Sequence, residues 1–154
     1  MGIKRQKLSD LENRMKDLDV EVIVPEKSNK RSGSNLKILI ADDDIVSGKL
    51  INTMVRRISK EILITNSSSE AIEICRNNPD IDLILMDISM PQIDGYEVTR
   101  QIRTFNKEVI IIAQTAKVQA ADIEDALASG CNDHIPKPIN GKVLMSIIQK
   151  YFED

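Results

Sequence analysis

Five short apolar runs recur between residues 36 and 137, and each is followed by a stretch whose apolar residues fall at helical spacing. The runs are Leu36 to Ala41, Glu61 to Thr65, Leu83 to Met86, Val109 to Ala113 and His134 to Pro136. The helical sets are Leu50, Ile51, Met54, Val55 and Ile58; Ala71, Ile72 and Cys75; Val98, Ile102 and Phe105; Ile123, Ala126 and Leu127; and Val143, Leu144, Ile147, Ile148 and Tyr151. Gly130 stands where the fourth helix needs a C-terminal cap. Apolar runs that are continuous, not alternating, suit strands buried on both faces. Five such strands alternating with five helices predict a parallel sheet covered on both sides. Right-handed crossovers then make it a doubly wound α/β fold. Pro136 lacks an N–H, which places the fifth strand at an edge.

Composition agrees. Aromatic residues are 3% of the 154 and Trp is absent, so the core must come from the aliphatic part of the 42% hydrophobic content. A formal net charge of −3 gives no basic face, and no nucleic-acid partner is expected. No apolar run reaches the ~18 residues of a membrane span. Met1 to Lys7 lacks the apolar stretch of a secretory signal, so a cytoplasmic protein is expected. Cys75 and Cys131 sit in apolar surroundings with no CxxC spacing, as reduced buried thiols do.

Residues 1–35 differ in character. In residues 1–24, Leu8, Leu11, Met15, Leu18 and Val22 follow the a/d spacing of a coiled coil for about two heptads. Ser9-Asp10-Leu11-Glu12 reads as a capping box. A solvated or partner-dependent helix and a self-dimerising helix both fit. Residues 25–35 are polar and rich in breakers, as a linker is. Residues 36–154 form the α/β domain.

In a doubly wound sheet, ligands bind beyond the carboxyl ends of the strands. The first run leads into Asp42 and Asp43, the third into Asp87, the fourth into Thr115 and the fifth into Lys137. Any one of these alone is an ordinary cap or a solvated side chain. Five on one rim are not. Three carboxylates without a cation would repel and resist ionisation. A hard cation such as Mg²⁺, which favours carboxylate, water and phosphate oxygen, resolves that conflict. Lys137 and Thr115 then offer a point charge and a hydroxyl to phosphoryl oxygens. A carboxylate can itself be the nucleophile, giving an aspartyl phosphate. Asp87, on the central strand, is the best placed.

These stretches resemble the receiver domain of response regulators in two-component systems, over residues 36 to 152. The matching segments are Ile38-Leu39-Ile40-Ala41-Asp42-Asp43-Asp44, Leu85-Met86-Asp87-Ile88-Ser89-Met90-Pro91 with Asp94-Gly95, Ile111-Ile112-Ala113-Gln114-Thr115-Ala116, and Lys137-Pro138. The resemblance implies a flavodoxin-like sheet in the order 2-1-3-4-5. It implies phosphorylation of Asp87, with Mg²⁺ held by Asp43, Asp87 and the Ser89 backbone carbonyl, and by Asp42 through water. Lys137 would contact the phosphoryl group, Thr115 would swing in to hydrogen-bond it, and the Lys137–Pro138 bond would be cis. Partners would be a histidine kinase or histidine phosphotransfer protein. A homodimer would form through the N-terminal helix or through the face of the fourth helix, fifth strand and fifth helix, where output is also expected. Asp94 to Arg103 and the Gly130-Cys131-Asn132-Asp133 turn are most similar to receivers of hybrid histidine kinases.

One position departs from the family. Three residues before the Lys, where Tyr or Phe usually serves as the switch aromatic, this chain has His134, which opens the output face to control by pH. Two other readings stay in view. Asp42-x-Asp44-x-Val46 resembles the haloacid-dehalogenase phosphatase motif, but Asp87 precedes Thr115 and Lys137, and no acidic strand end follows the Lys. A binding module that keeps the fold without phosphorylation would have lost one of the five rim residues. The expectation is a phosphoacceptor, not an enzyme.

Overall fold

The computed structural model describes residues 35–116 and 120–152. The helix expected over residues 1–24 and nearly all of the linker lie outside them. Strands β1 (Leu36–Ala41), β2 (Ser59–Thr65), β3 (Leu83–Asp87), β4 (Ile110–Thr115) and β5 (Asp133–Pro136) form one parallel sheet in the order β2-β1-β3-β4-β5. Between and after them run α1 (Ile45–Val55), α2 (Ser68–Asn77), α3 (Gly95–Arg103), α4 (Ala120–Ser129) and α5 (Gly141–Phe152). The fold is the doubly wound, flavodoxin-like one, and β5 with its Pro136 is an edge strand.

Strand residues alternate between two cores. Ile38, Ile40, Leu83, Leu85, Ile112 and Ile135 face α1 and α5, where Ile51, Val55, Leu144, Ile148 and Phe152 meet them. Leu39, Ala41, Ile84, Met86, Ile111 and Ala113 face α2, α3 and α4, against Ala71, Ile72, Cys75, Val98, Ile102 and Ala126. Burying one such side chain contributes about 1.5–3 kcal/mol, so the two faces together hold the sheet in register. Cys75 and Cys131 are buried free thiols, and burial pushes the Cys75 thiol up to about 12.

Four local details differ from the sequence reading. Helix α1 stops at Val55, and Ile58 lies in a 3-10 turn over Arg56–Ile58. Strand β2 starts at Ser59, ahead of the apolar run. Helix α3 ends at Arg103, so Phe105 lies beyond it and packs under the Arg76 guanidinium, 4.7 Å from its ring centroid. Leu50, Leu127 and Val143 keep helical spacing but point outward. Spacing assigns a face only to within a turn, and these three fall on its margin. Gly130 adopts φ +113°, the left-handed value that its capping position requires.

The helices begin where side chains can satisfy free N–H groups. Asp44 accepts from Val46 N–H and Ser47 N–H at α1, Ser67 from Glu70 N–H at α2, and Asp94 from Glu97 N–H at α3. Among the described residues, no helix is long and apolar enough to cross a membrane.

Candidate acceptor site

Strand hydrogen bonding continues one residue beyond the strands at the carboxyl rim. Asp42 N–H donates to Thr65 O at 3.0 Å, Ile88 N–H to Gln114 O at 3.0 Å, and Lys137 N–H to Thr115 O at 2.8 Å. These bonds carry the sheet's order into the loops, so the rim side chains start from a fixed backbone. Oxygens of Asp42, Asp43 and Asp87 all lie within 4.8 Å of one another. Lys137 Nζ reaches across to Asp87 Oδ2 at 3.1 Å and Asp42 Oδ2 at 3.6 Å. Thr115 is buried at the end of β4, with Lys137 bonded to its backbone. The Lys137–Pro138 bond is cis.

Asp87 is wholly buried and divided in function. Its Oδ1 accepts the Ser89 N–H at 2.9 Å, while its Oδ2 faces Lys137. The loop carrying Ser89 is held closely. Gly95 N–H donates to Ile88 O at 3.1 Å, Ser68 Oγ donates to Pro91 O at 3.2 Å, and Gln92 takes φ 71°. A Cβ at Gly95 would lie 2.5 Å from Asp87 O and 2.8 Å from Ile88 Cα, so only glycine lets α3 start this close to the strand.

The electrostatics separate the carboxylates. Burial raises the Asp42 carboxyl above the usual range, and the neighbouring Asp87 charge adds to that. Asp43 is raised as well, chiefly because it shares a hydrogen bond with Asp87, and burial adds to it. Burial works against ionisation of Asp87 too, but the Ser89 N–H, Asp43 and Lys137 outweigh it and hold this carboxyl low. Burial would lower Lys137, yet Asp87 and Asp42 keep the ammonium protonated, above its ordinary value. The site therefore has one firmly ionised carboxylate facing a firmly charged ammonium. Beside it stand two carboxyls whose ionisation burial and the Asp87 charge disfavour.

Those features fit a divalent metal. The Oδ2 atoms of Asp42 and Asp87 are buried and accept no well-aligned hydrogen bond, so they are free to serve as oxygen ligands. His134 lies on β5, paired with Ala113 and thus on the face of the sheet that Thr115 also shares. Its Nδ1 is 3.8 Å from Asp133 Oδ1. Asp133 also receives Lys150 Nζ at 2.7 Å and the Tyr151 hydroxyl at 3.0 Å, which ties β5 to α5. Sequence reasoning passed over Gln114, whose side chain is fully buried on β4. The available signal was a polar residue next to Thr115 in an otherwise apolar strand.

The family model for the response regulator receiver domain matches residues 38–149. The chain is 35% identical over 138 residues to hybrid signal transduction histidine kinase I of Dictyostelium discoideum, covering 80% of this chain and 8% of that protein. It is 32% identical over 109 residues to transcriptional regulatory protein ZraR of Klebsiella oxytoca, covering 71% of this chain and 24% of that protein. It thus spans less than a quarter of the length of either relative. Among solved structures, the CheX–CheY–BeF3–Mg²⁺ complex of Borrelia burgdorferi matches with a TM-score of 0.74 at 25% identity, over 79% of this chain and 92% of that one. A co-crystal of the Saccharomyces cerevisiae histidine phosphotransfer protein Ypd1 with the receiver domain of the response regulator Ssk1 matches with a TM-score of 0.73 at 28% identity, over 79% and 92%. With its fold, its rim of acidic residues and these relatives in agreement, the chain belongs to the response regulator receiver domains of two-component signalling.

Proposed function

We propose that residues 36–154 accept a phosphoryl group on Asp87 from a phosphohistidine and thereby switch a protein-binding face. The observation that carries this reading is the division of Asp87. Its Oδ1 is tethered by Ser89, and its Oδ2 is ionised and aimed at Lys137. Asp87 Oδ2 attacks phosphorus, a P–O bond forms and the P–N bond to imidazole breaks. The leaving nitrogen keeps the electron pair and takes a proton from solvent. Lys137 follows the transferred charge from the carboxylate to the phosphoryl oxygens, and Thr115 donates its hydroxyl to them. Asp42, Asp43, Asp87 and the Ser89 carbonyl would hold Mg²⁺, which when bound neutralises the rim and supplies positive charge for phosphoryl oxygens. The acidic cluster within 4.8 Å supports that assignment. So does the similarity to CheY, solved with BeF3 and Mg²⁺. The chain is an acceptor with at most slow self-dephosphorylation, not an enzyme with a separate substrate.

The donor is a histidine kinase or a histidine phosphotransfer protein. Ile45, Val46 and Leu50 of α1 are 61%, 74% and 54% exposed beside the acidic rim. Such an apolar margin suits a helical partner that must bring its histidine to Asp87. The similar Ssk1 receiver was solved with the histidine phosphotransfer protein Ypd1. The output face of α4, β5 and α5 includes His134 and the Asp133–Lys150–Tyr151 cluster. Residues 1–24 and 25–35, whose sequence reads as a helix and a linker, would offer a second route for output or dimerisation. The test is transfer from a phosphorylated histidine phosphotransfer protein. Label should pass to this chain and be released by hydroxylamine, as an acyl phosphate is. Label that resists hydroxylamine would place the phosphoryl group elsewhere.

A further inference from the structure

Gln114 occupies the rim in a way that the acceptor chemistry above does not use. Register pairs Asp87 with Gln114 and Gln114 with Ile135. Paired residues of a parallel sheet share a face, here the α1/α5 face that Leu85, Ile112 and Ile135 also occupy. Asp42 follows the same alternation from Ile38 and Ile40. Asp42, Asp87 and Gln114 therefore form a row across β1, β3 and β4. Lys137 rises from the edge strand β5 and places its ammonium on Asp87 and Asp42. To do so its side chain reaches past the end of β4, whose last two residues are Gln114 and Thr115.

The Gln114 side chain has no exposure, and among the described residues neither its Oε1 nor its Nε2 has a hydrogen-bond partner. An amide left unpaired in an interior is disfavoured relative to an apolar side chain of the same size, and native proteins keep few of them. In the same row the Oδ2 atoms of Asp42 and Asp87 also lack aligned donors. The unpaired amide thus lies in one row with the two carboxylate oxygens that Lys137 holds only by charge. We infer that Gln114 is a positioning residue whose amide is paired only in the loaded site. Its Nε2 donates toward the oxygens around Asp87. Its Oε1 accepts from the Lys137 ammonium as that group leaves the carboxylates for the phosphoryl group. This rests on the reading of Asp87 as acceptor.

The test uses the full chain and two variants of similar volume, Gln114→Met and Gln114→Leu. Thermal unfolding is followed without ligand and with Mg²⁺ plus beryllofluoride, a phosphoryl mimic. The expected result has two parts. Without ligand both variants unfold at or above the parental temperature, because an unpaired amide is gone. With Mg²⁺ and beryllofluoride their gain in unfolding temperature is no more than half the parental gain, and labelling by acetyl phosphate slows about tenfold. A parental gain in both variants would overturn the inference. So would a loss of several degrees without ligand in both, because the amide would then be paired at rest. If the parent itself gains nothing, the acceptor reading fails first, which separates the two claims.

Discussion

Replacing Lys137 by Met isolates the charge at the rim. At 3.1 and 3.6 Å and an effective dielectric of about 20, the ammonium attracts each carboxylate by about 5 kcal/mol. Two effects reduce what is lost. The Lys137 side chain is 23% exposed, so solvent screens it, and the freed carboxyls can take up protons. A net cost of about 2 kcal/mol at neutral pH, without Mg²⁺, is the resulting expectation. The pH dependence identifies its origin. Asp87 is held low in the folded state, so its contribution to stability is present above its unfolded value and lost as pH falls through the folded one. In Lys137→Met much of that depression disappears. The gap between parent and variant should therefore keep its full size from pH 7 down to about pH 4 and shrink as pH falls further, below the ordinary Asp value of 3.8. Urea unfolding at several pH values in EDTA measures it. A gap that stays constant with pH would refute this reasoning and assign the loss to packing of the Lys137 stem.

Further outcomes follow from neighbouring groups. Gly95→Ala should destabilise the chain by about 1–3 kcal/mol in denaturant and weaken Mg²⁺ binding, since the added Cβ strikes main chain that leads to Ser89. Asp42 and Asp43 are raised in the folded state, so the stability they contribute is present below their unfolded values and lost as pH rises through the folded ones. Without metal, Asp43→Asn should therefore be more stable than the parent at pH 7. Protons compete with Mg²⁺ for the Asp42 and Asp43 carboxyls, so calorimetric titration of the parent should show Mg²⁺ affinity falling as pH is lowered into the acid range. Tyr151→Phe removes hydroxyl bonds to Asn132 O at 2.8 Å and Asp133 Oδ2 at 3.0 Å, and should cost about 1–2 kcal/mol in urea unfolding with Asp87 labelling intact. If residues 1–24 dimerise, removing residues 1–25 should lower the mass measured by light scattering; an unchanged mass would end that proposal.

The sheet was legible because its strands are continuous apolar runs, each followed by a chemically distinct residue. The rim could be located from topology alone, and Asp42, Asp87 and Lys137 do meet there. What sequence conveyed less well is orientation. Leu50 and Val143 keep the right spacing yet face outward, because a helix margin is decided by how its neighbours pack. Phe105 left its helix because Thr104 caps the end, with its N–H bonded back to Gln101 O and Ile102 O. Gln114 was invisible as a special position, since its meaning depends on the register that sets it in one row with Asp42 and Asp87 across three strands. The unequal ionisation of three similar aspartates also depends on depth and on the Ser89 N–H, neither of which residue types disclose.

The central claim is that Asp87 is the phosphoryl acceptor of a metal-dependent site. Intact-mass spectrometry after incubation with acetyl phosphate tests it, with and without Mg²⁺ and beside an Asp87→Asn variant. The account predicts a gain of one phosphoryl group that requires Mg²⁺ and is absent from Asp87→Asn. No gain in the parent, or an equal gain in the variant, would contradict it.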